Sequence, residues 1–213
     1  MKEEILANIS EAVIEGSVKQ VASLVNEALT HSVPAGRILN EGLIAGMNEV
    51  GALFKDGEMF VPEVLVAAKA MQGGIDLIRN LLVKEGVDTK GKIMTVTVEG
   101  DLHDIGVKLV GMMLEGAGFD VINIGVDMPA AKIIEKVKEC RPDILGMSAM
   151  LTTTMTRMKD VIDALKEEGL LDSIKVMVGG APVSPMYAEK IGAIYSENAS
   201  AAVAVAKQLL NVA

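Results

Sequence analysis

The sequence has very few aromatic residues and almost no cysteine. Only 2% of its 213 residues are aromatic and none is Trp. Any core must therefore be aliphatic, built from Val, Ile, Leu, Ala and the 14 Met residues. The single cysteine, Cys140, excludes an intrachain disulfide and is typical of a reducing compartment. We therefore expect a cytoplasmic location.

Long apolar runs and basic clusters are also missing. No stretch reaches the about 18 continuous apolar residues of a membrane span, and the acidic N-terminus, Met1–Glu4, is unlike a signal peptide. The net charge is −9, and no run rich in Lys and Arg supplies the basic patch of a nucleic-acid binder. We expect neither a membrane nor a nucleic acid as partner.

The pattern in residues 1–88 is helical. Apolar residues recur about every four positions, as in the stripe formed by Ile5, Ile9 and Val13. The stretch 17–20 has the pattern of a capping box at the start of the second helix, and prolines open the third and fourth helices. Four amphipathic helices with short connections predict a four-helix bundle as the first domain.

The period changes after a polar joint at 87–91. Short β-branched runs then alternate with helical patterns, which predicts a parallel sheet with helices on both faces in residues 91–213. The expected class is α/β, with a flavodoxin-like or Rossmann-like five-stranded sheet behind the helical bundle. The five predicted strands cover residues 93–98, 119–124, 143–148, 174–178 and 193–195.

Polar and glycine-rich segments follow three of these strands. The first strand ends in the loop 100–106, the third at Ser148, which precedes a run of threonines, and the fourth at Gly179-Gly180. Ligands of open parallel sheets bind beyond the carboxyl ends of the strands. We expect these three segments to meet at one edge of the sheet.

His103 in the first of these loops is a candidate metal ligand. A neutral imidazole commonly binds metals while its other nitrogen donates to a carboxylate, and Asp101 can supply that carboxylate. One imidazole is too little for a bare structural ion, but it is enough for a metal already held by a macrocycle. An ordinary solvent-facing turn is the alternative for this loop. His31, at a helix end, fits an interaction with the helix dipole.

The spacing of these segments resembles the cobalamin-binding signature of the methionine synthase and methylotrophic corrinoid-protein family. That signature is Asp-x-His-x-x-Gly, then Ser-x-Leu, then Gly-Gly. Here it reads as residues 101–106, a gap of 41 residues at 107–147, then 148–150, a gap of 28 residues at 151–178, and 179–180. Met150 replaces the family's Leu with a similar volume. The family also places a four-helix cap first, and the resemblance is closest to carriers for methylamines and quaternary amines.

The resemblance implies a cobalamin or related corrinoid with His103 as the axial cobalt ligand. Asp101 and Thr154 would complete a relay in which Thr154 replaces a serine, and the displaced nucleotide tail would occupy a slot between the sheet and a flanking helix. Over the methyl-bearing face would lie Phe54, Val61 and Val64, for which ordinary bundle core is the alternative. The implied cofactor-binding positions in the second domain are Gly100, Asp101, His103, Asp104, Gly106, Ser148, Met150, Thr152, Gly179, Gly180 and Ala199.

The resemblance implies a carrier subunit without catalytic activity of its own. A substrate-specific methyltransferase would transfer a methyl group from a methylated amine to the carrier, and a second methyltransferase would accept it. A reductive activase is a third expected partner, and the joint at 87–91 is the expected hinge. The alternatives are a carrier for methanol or aryl methyl ethers, a cobalamin-binding sensor or regulator, a mutase subunit, and a flavodoxin-like domain without a corrinoid.

Overall fold

The computed structural model describes residues 2–87 and 89–212, and for Val83 the backbone alone. Asp88, in the predicted joint, lies outside the described residues. The chain divides into two compact units, residues 1–89 with 115–118 and residues 90–114 with 119–213. The exact domain boundaries, 1–88 and 91–213, stay predictions.

The first unit is helical and aliphatic. In its first helix the stripe of Ile5, Ile9 and Val13 is buried, because residues spaced by four positions lie on one face of a helix. The helices of this unit are α1 (Lys2–Ile14), α2 (Val18–Thr30), α3 (Ala35–Arg37), a π-helix (Ile38–Ile44), α4 (Ala45–Lys55) and α5 (Val61–Glu85).

Two details of the helical unit differ from the prediction. The Ser17 side chain makes no capping hydrogen bond in the described structure, so the predicted capping box is wrong. The third predicted helix is present, but its segment Ile38–Ile44 is a π-helix and not an α-helix. Glycines allow this region to approach α1: a Cβ on Gly42 would lie 2.9 Å from Cγ2 of Ile9, and one on Gly46 would lie 2.6 Å from the Ser10 carbonyl oxygen.

The second unit alternates strands and helices as predicted. Its described elements are β1 (Lys92–Thr97), α6 (Ile105–Gly116), β2 (Asp120–Asn123), α7 (Ala130–Cys140), β3 (Ile144–Ser148), α8 (Thr152–Met155), α9 (Arg157–Glu167), β4 (Lys175–Gly179), α10 (Pro185–Ile191), β5 (Ile194–Tyr195) and α11 (Ala199–Leu210).

The described strands form one parallel sheet in the order β2-β1-β3-β4-β5. This is the flavodoxin-like order, and the predicted fold class is confirmed. Its topological switch point lies between β1 and β3, where ligands of such sheets bind. Thr97 pairs with Ser148, and Ser148 pairs with Gly179. The carboxyl ends of the three central strands are therefore aligned at one edge, as expected.

The two faces of the sheet carry different side chains near the carboxyl ends of the central strands. Met94 and Val96 of β1, and Val98 just after it, join the apolar cluster that includes side chains of α7 and α9. Since successive side chains of a strand point to opposite faces, Thr95 and Thr97 point to the other face. That face carries small residues in the neighbouring strands as well: Gly146 and Ser148 of β3 and Gly179 of β4.

Candidate functional site

The site is organised around the carboxylate of Asp101, which is fully buried just after β1. Its Oδ1 accepts hydrogen bonds from the backbone N of His103 at 3.1 Å and from Nδ1 of the same residue at 2.7 Å. Its Oδ2 accepts from the Met150 backbone N and from the Thr154 hydroxyl, both at 2.7 Å. One carboxylate thus joins the loop after β1 to the segment after β3.

The Asp101 carboxyl stays ionised in this environment. Burial by itself raises its pKa, but the hydrogen bonds from Met150, Thr154 and His103 outweigh burial, and the pKa falls well below its usual range. Hydrogen bonds donated to the charged form favour that form. The site therefore holds a buried anion with four donors directed at it.

This anion sets the tautomer of His103. An ionised carboxylate only accepts hydrogen bonds, so Nδ1 carries a proton, and in the neutral imidazole the lone pair lies on Nε2. The His103 side chain is 55% exposed, which leaves this lone pair accessible. The Thr97 hydroxyl also donates to the His103 carbonyl oxygen at 3.1 Å. The imidazole is thus fixed through Nδ1, and much of the side chain remains exposed to solvent, which suits a metal ligand.

Apolar side chains next to these residues are unusually exposed. Leu102 is 71% and Ile105 69% exposed on either side of His103 and Asp104, while Met150 and Leu151 are 41% and 46% exposed after β3. Clustered exposed apolar side chains mark binding surfaces. A flat, largely apolar ligand placed against His103 would cover them.

The two glycines at the end of β4 have a structural role. A Cβ on Gly180, where φ is +119°, would lie 1.9 Å from the Ala149 carbonyl oxygen, and one on Gly179 would lie 2.8 Å from that of Ser196. Because they lack a Cβ, the two glycines allow the end of β4 to lie directly against the backbone of Ala149 and Ser196. Gly106 differs, because a Cβ there would meet nothing within 4 Å.

Sequence reasoning missed Thr95, whose hydroxyl is the buried side-chain polar atom left without a partner in the described structure. Glycines lie on two sides of it. A Cβ on Gly111 of α6 would lie 3.9 Å from the Thr95 hydroxyl oxygen, and one on Gly146 would lie 3.7 Å from Cγ2 of Thr95. These are ordinary contact distances, so neither glycine places a side chain against Thr95. The unpaired hydroxyl is a polar partner for a ligand group that enters between α6 and the sheet.

The remaining predicted residues have varied environments. Asp104 pairs with Lys108 on the first turn of α6, Thr152 is exposed at the start of α8, and Ala199 is buried at the start of α11. In the helical unit Phe54 and Val61 are half-buried and Val64 is fully buried.

The donor set fits a metal that brings its own equatorial ligands. Within the described residues, no group of three or more His, Cys, Asp or Glu side chains is placed to hold a metal ion. A structural zinc site needs about four protein ligands. A single oriented imidazole with an apolar rim suits a metal macrocycle. The fold and site thus define a class: a parallel α/β domain with one oriented imidazole at its switch point.

Comparisons with known proteins identify this class. The family described as "B12 binding domain" matches residues 91–206, and a second family of the same description matches residues 5–79. The chain is 47% identical to dimethylamine corrinoid protein 1 of Methanosarcina acetivorans, over 98% of this chain and 99% of that one. It is 44% identical to the trimethylamine corrinoid protein of Methanosarcina barkeri, over 99% of both chains.

A solved structure agrees with the sequence comparisons. A chain in the crystal structure of the methanol:cobalamin methyltransferase complex of Methanosarcina barkeri superposes with a TM-score of 0.89 at 30% identity, over 99% of this chain and 81% of that one. The chain belongs to the methylamine corrinoid protein family, and its cofactor is a corrinoid. The resemblance stated from the sequence is confirmed. No helix in the described part of the chain is both long and apolar enough to span a bilayer.

Proposed function

We propose that this protein is a methyl carrier for methylamines, with His103 as the protein's ligand to the corrinoid cobalt. The observation that carries the proposal is the buried Asp101 carboxylate bound to Nδ1 of His103 at 2.7 Å, which leaves Nε2 as the unbound nitrogen of a side chain that is 55% exposed. The high identity to dimethylamine and trimethylamine corrinoid proteins supports the substrate class.

The cofactor, when bound, supplies the cobalt that carries the methyl group. The chain's own residues do the rest. His103 would bind the cobalt through Nε2, and Asp101 would fix its ring and raise its basicity, as carboxylates behind metal-bound histidines do. Thr154 and the Met150 amide hold that carboxylate in place. Leu102 and Ile105 would exclude water from the side of the cofactor that faces His103.

The face of the sheet beneath the site would receive the displaced nucleotide tail. Gly111 and Gly146 place no side chain against Thr95, and the Thr95 hydroxyl lacks a partner among the described residues. A planar base inserted between β1 and α6 would pair the hydroxyl. Ser148, Thr152 and Ala199 are further proposed tail contacts, and Phe54, Val61 and Val64 are proposed covers for the methyl-bearing face.

The proposal includes three partners and a location. A substrate-specific methyltransferase would deliver the methyl group, and a second methyltransferase would accept it. A reductive activase would return the carrier's corrinoid to its reduced state. The similar chain in the methanol:cobalamin methyltransferase complex supports the first partner. A cytoplasmic location also belongs to the proposal. Methanol as methyl source is a second candidate, supported by that same structure at its lower identity of 30%.

Replacing His103 tests the proposal. His103→Ala and His31→Ala proteins are reconstituted with hydroxocobalamin and their visible spectra and dissociation constants are compared with wild type. His31 is the matched control, since it lies in the helical unit with Nδ1 bonded to the Glu27 carbonyl. We expect His103→Ala to shift the spectrum and weaken binding about 10–100-fold, as loss of metal-site groups does, and His31→Ala to match wild type.

An unchanged His103→Ala spectrum would remove the basis of the proposal. The methyl source is tested by supplying the loaded carrier with dimethylamine-, trimethylamine- and methanol-specific methyltransferases in turn. We expect the amine enzymes to methylate it faster. Faster methylation by the methanol enzyme would support the second candidate instead.

A further inference from the structure

The turn after β2 lies against the end of β1. The Ile124 amide donates to the Thr95 carbonyl at 3.0 Å, and the Thr97 amide donates to the Gly125 carbonyl at 3.0 Å. The Met128 amide then donates to the Thr97 carbonyl at 3.2 Å. These bonds extend the pairing of β1 beyond the last paired residues of β2, toward the loop that carries His103.

Asp127 is the residue of this turn that reaches that loop. Its Oδ1 accepts a hydrogen bond from the Gly100 amide at 2.7 Å. Its own backbone amide donates to the Asp101 carbonyl oxygen at 3.0 Å. One residue therefore binds two consecutive residues of the loop, and it does so through contacts separate from those of the Asp101 carboxylate.

The backbone of Asp127 is held in the left-handed region, with φ 53°. This conformation is uncommon for residues other than glycine, and Asp and Asn tolerate it best. Such a conformation persists where the surroundings determine it, and it often lies near functional groups. Here the left-handed turn points the Asp127 amide and its carboxylate toward the same loop.

We propose that Asp127 is a positioning residue that fixes the backbone of Gly100 and Asp101 and thereby the direction of the His103 imidazole. The chain of contacts is short. Asp127 binds the backbone of Gly100 and Asp101, and the Asp101 carboxylate binds Nδ1 of His103, which leaves Nε2 as the unbound ring nitrogen. This inference rests on the proposed function in taking His103 as the cobalt ligand, but its first test needs no cofactor.

Three substitutions separate the acceptor from the backbone conformation. Asp127→Asn keeps an oxygen acceptor and tolerates φ 53°. Asp127→Gly adopts that φ freely but has no acceptor. Asp127→Glu keeps the charge but moves the acceptor one methylene away, and it decides the test if the glycine variant does not fold. Arg141→Ala is the matched control, because Arg141 is another left-handed residue of this unit, at φ 48°, after α7.

Two measurements are made on each folded variant, with folding checked by circular dichroism. In the cofactor-free protein, nitrogen-15 NMR of the imidazole gives the fraction of His103 in the Nδ1–H tautomer. After reconstitution, the visible spectrum and the dissociation constant for hydroxocobalamin report ligation. We expect Asp127→Asn and Arg141→Ala to stay within about twofold of wild type. We expect the glycine and glutamate variants to lose Nδ1–H tautomer and to bind about tenfold more weakly, at the lower end of effects behind metal ligands.

Wild-type tautomer fraction and affinity in Asp127→Gly, or in Asp127→Glu where glycine does not fold, would overturn this inference while leaving the proposed function intact. An Asn variant as impaired as the glycine variant would also overturn it, since the acceptor would then not be what matters. Failure of the proposed function has a different signature: His103→Ala would leave the cobalamin spectrum unchanged, while the tautomer measurement would still test the role of Asp127.

Discussion

The two units of the molecule bury different kinds of side chain. In the helical unit, the buried side chains of the described residues are all apolar, among them Ile9, Val25, Leu43 and Ile78. The α/β unit has an apolar core as well, but it also buries every polar side chain found buried in the described chain. These are Thr95, Thr97, Asp101, Thr154 and Ser196.

Because of this difference, we expect the apolar core of the helical unit to contribute stability and the polar network of the α/β unit also to hold His103. Apolar burial is non-directional and grows with area, so the helical unit gains stability without fixing any single group. A buried polar group instead requires partners in fixed directions, and satisfied polar networks are rigid. The α/β unit uses that requirement to hold His103. Substitutions in the apolar core of the first unit should therefore change stability without changing ligation by His103, while those in the polar network of the second should change both.

The largest effect is expected at Gly180, where the strand ends meet. A Cβ there would lie 1.9 Å from a backbone oxygen at φ +119°, so Gly180→Ala should reduce the free energy of unfolding by about 4 kcal/mol or more, or prevent folding. The control is Gly192→Ala at φ +77°, whose Cβ would meet nothing within 4 Å and which should lose about 1–2 kcal/mol from the left-handed backbone alone. Urea unfolding measures both, and equal losses would refute the close approach.

A smaller effect is expected at Leu43 in the helical unit. This side chain is fully buried, so Leu43→Ala should reduce the free energy of unfolding by about 3 kcal/mol through lost burial and the cavity left behind. Leu77→Ala, at a side chain 43% exposed, should lose clearly less. The visible spectrum of the reconstituted protein should not change in either variant. A spectral shift in Leu43→Ala would show that the core of the helical unit also affects ligation by His103, contrary to this expectation.

Most of the fold could be predicted from periodicity. The first strand was predicted at 93–98 and is found at Lys92–Thr97, because β-branched runs between helical patterns leave little choice. The π-helix at Ile38–Ile44 could not be predicted in this way. It lies where Gly42 and Gly46 pack against α1, and such tertiary contacts are not encoded in local propensity.

The site was predictable where its residues are close in sequence. Asp101 and His103 are two residues apart, so their hydrogen bond follows from the loop alone. Met150 was chosen for its side chain, but it is its backbone amide that binds Asp101, 49 residues away. Asp127 and Thr95 gave no signal, because one acts through a backbone contact 27 residues away and the other is notable only for lacking a partner in the described structure.

The smallest effect, and the sharpest test of the comparison, is expected at Thr95. Thr95→Val removes a buried hydroxyl that has no partner in the described residues, so the cofactor-free protein should be unchanged or up to about 1 kcal/mol more stable. Cobalamin binding should weaken about 2–10-fold, equivalent to one ordinary hydrogen bond.

Thr97→Val is the matched control on the same strand and face. Its hydroxyl donates to the His103 carbonyl, so the cofactor-free protein should lose about 1 kcal/mol. Urea unfolding measures the free energy of unfolding of both variants. A gain in Thr95→Val and a loss in Thr97→Val would show that Thr97 stabilises the fold and that Thr95 serves the ligand. A loss at Thr95 equal to that at Thr97 would mean that its hydroxyl is already paired without the cofactor, and the slot beneath the site would lose its main support.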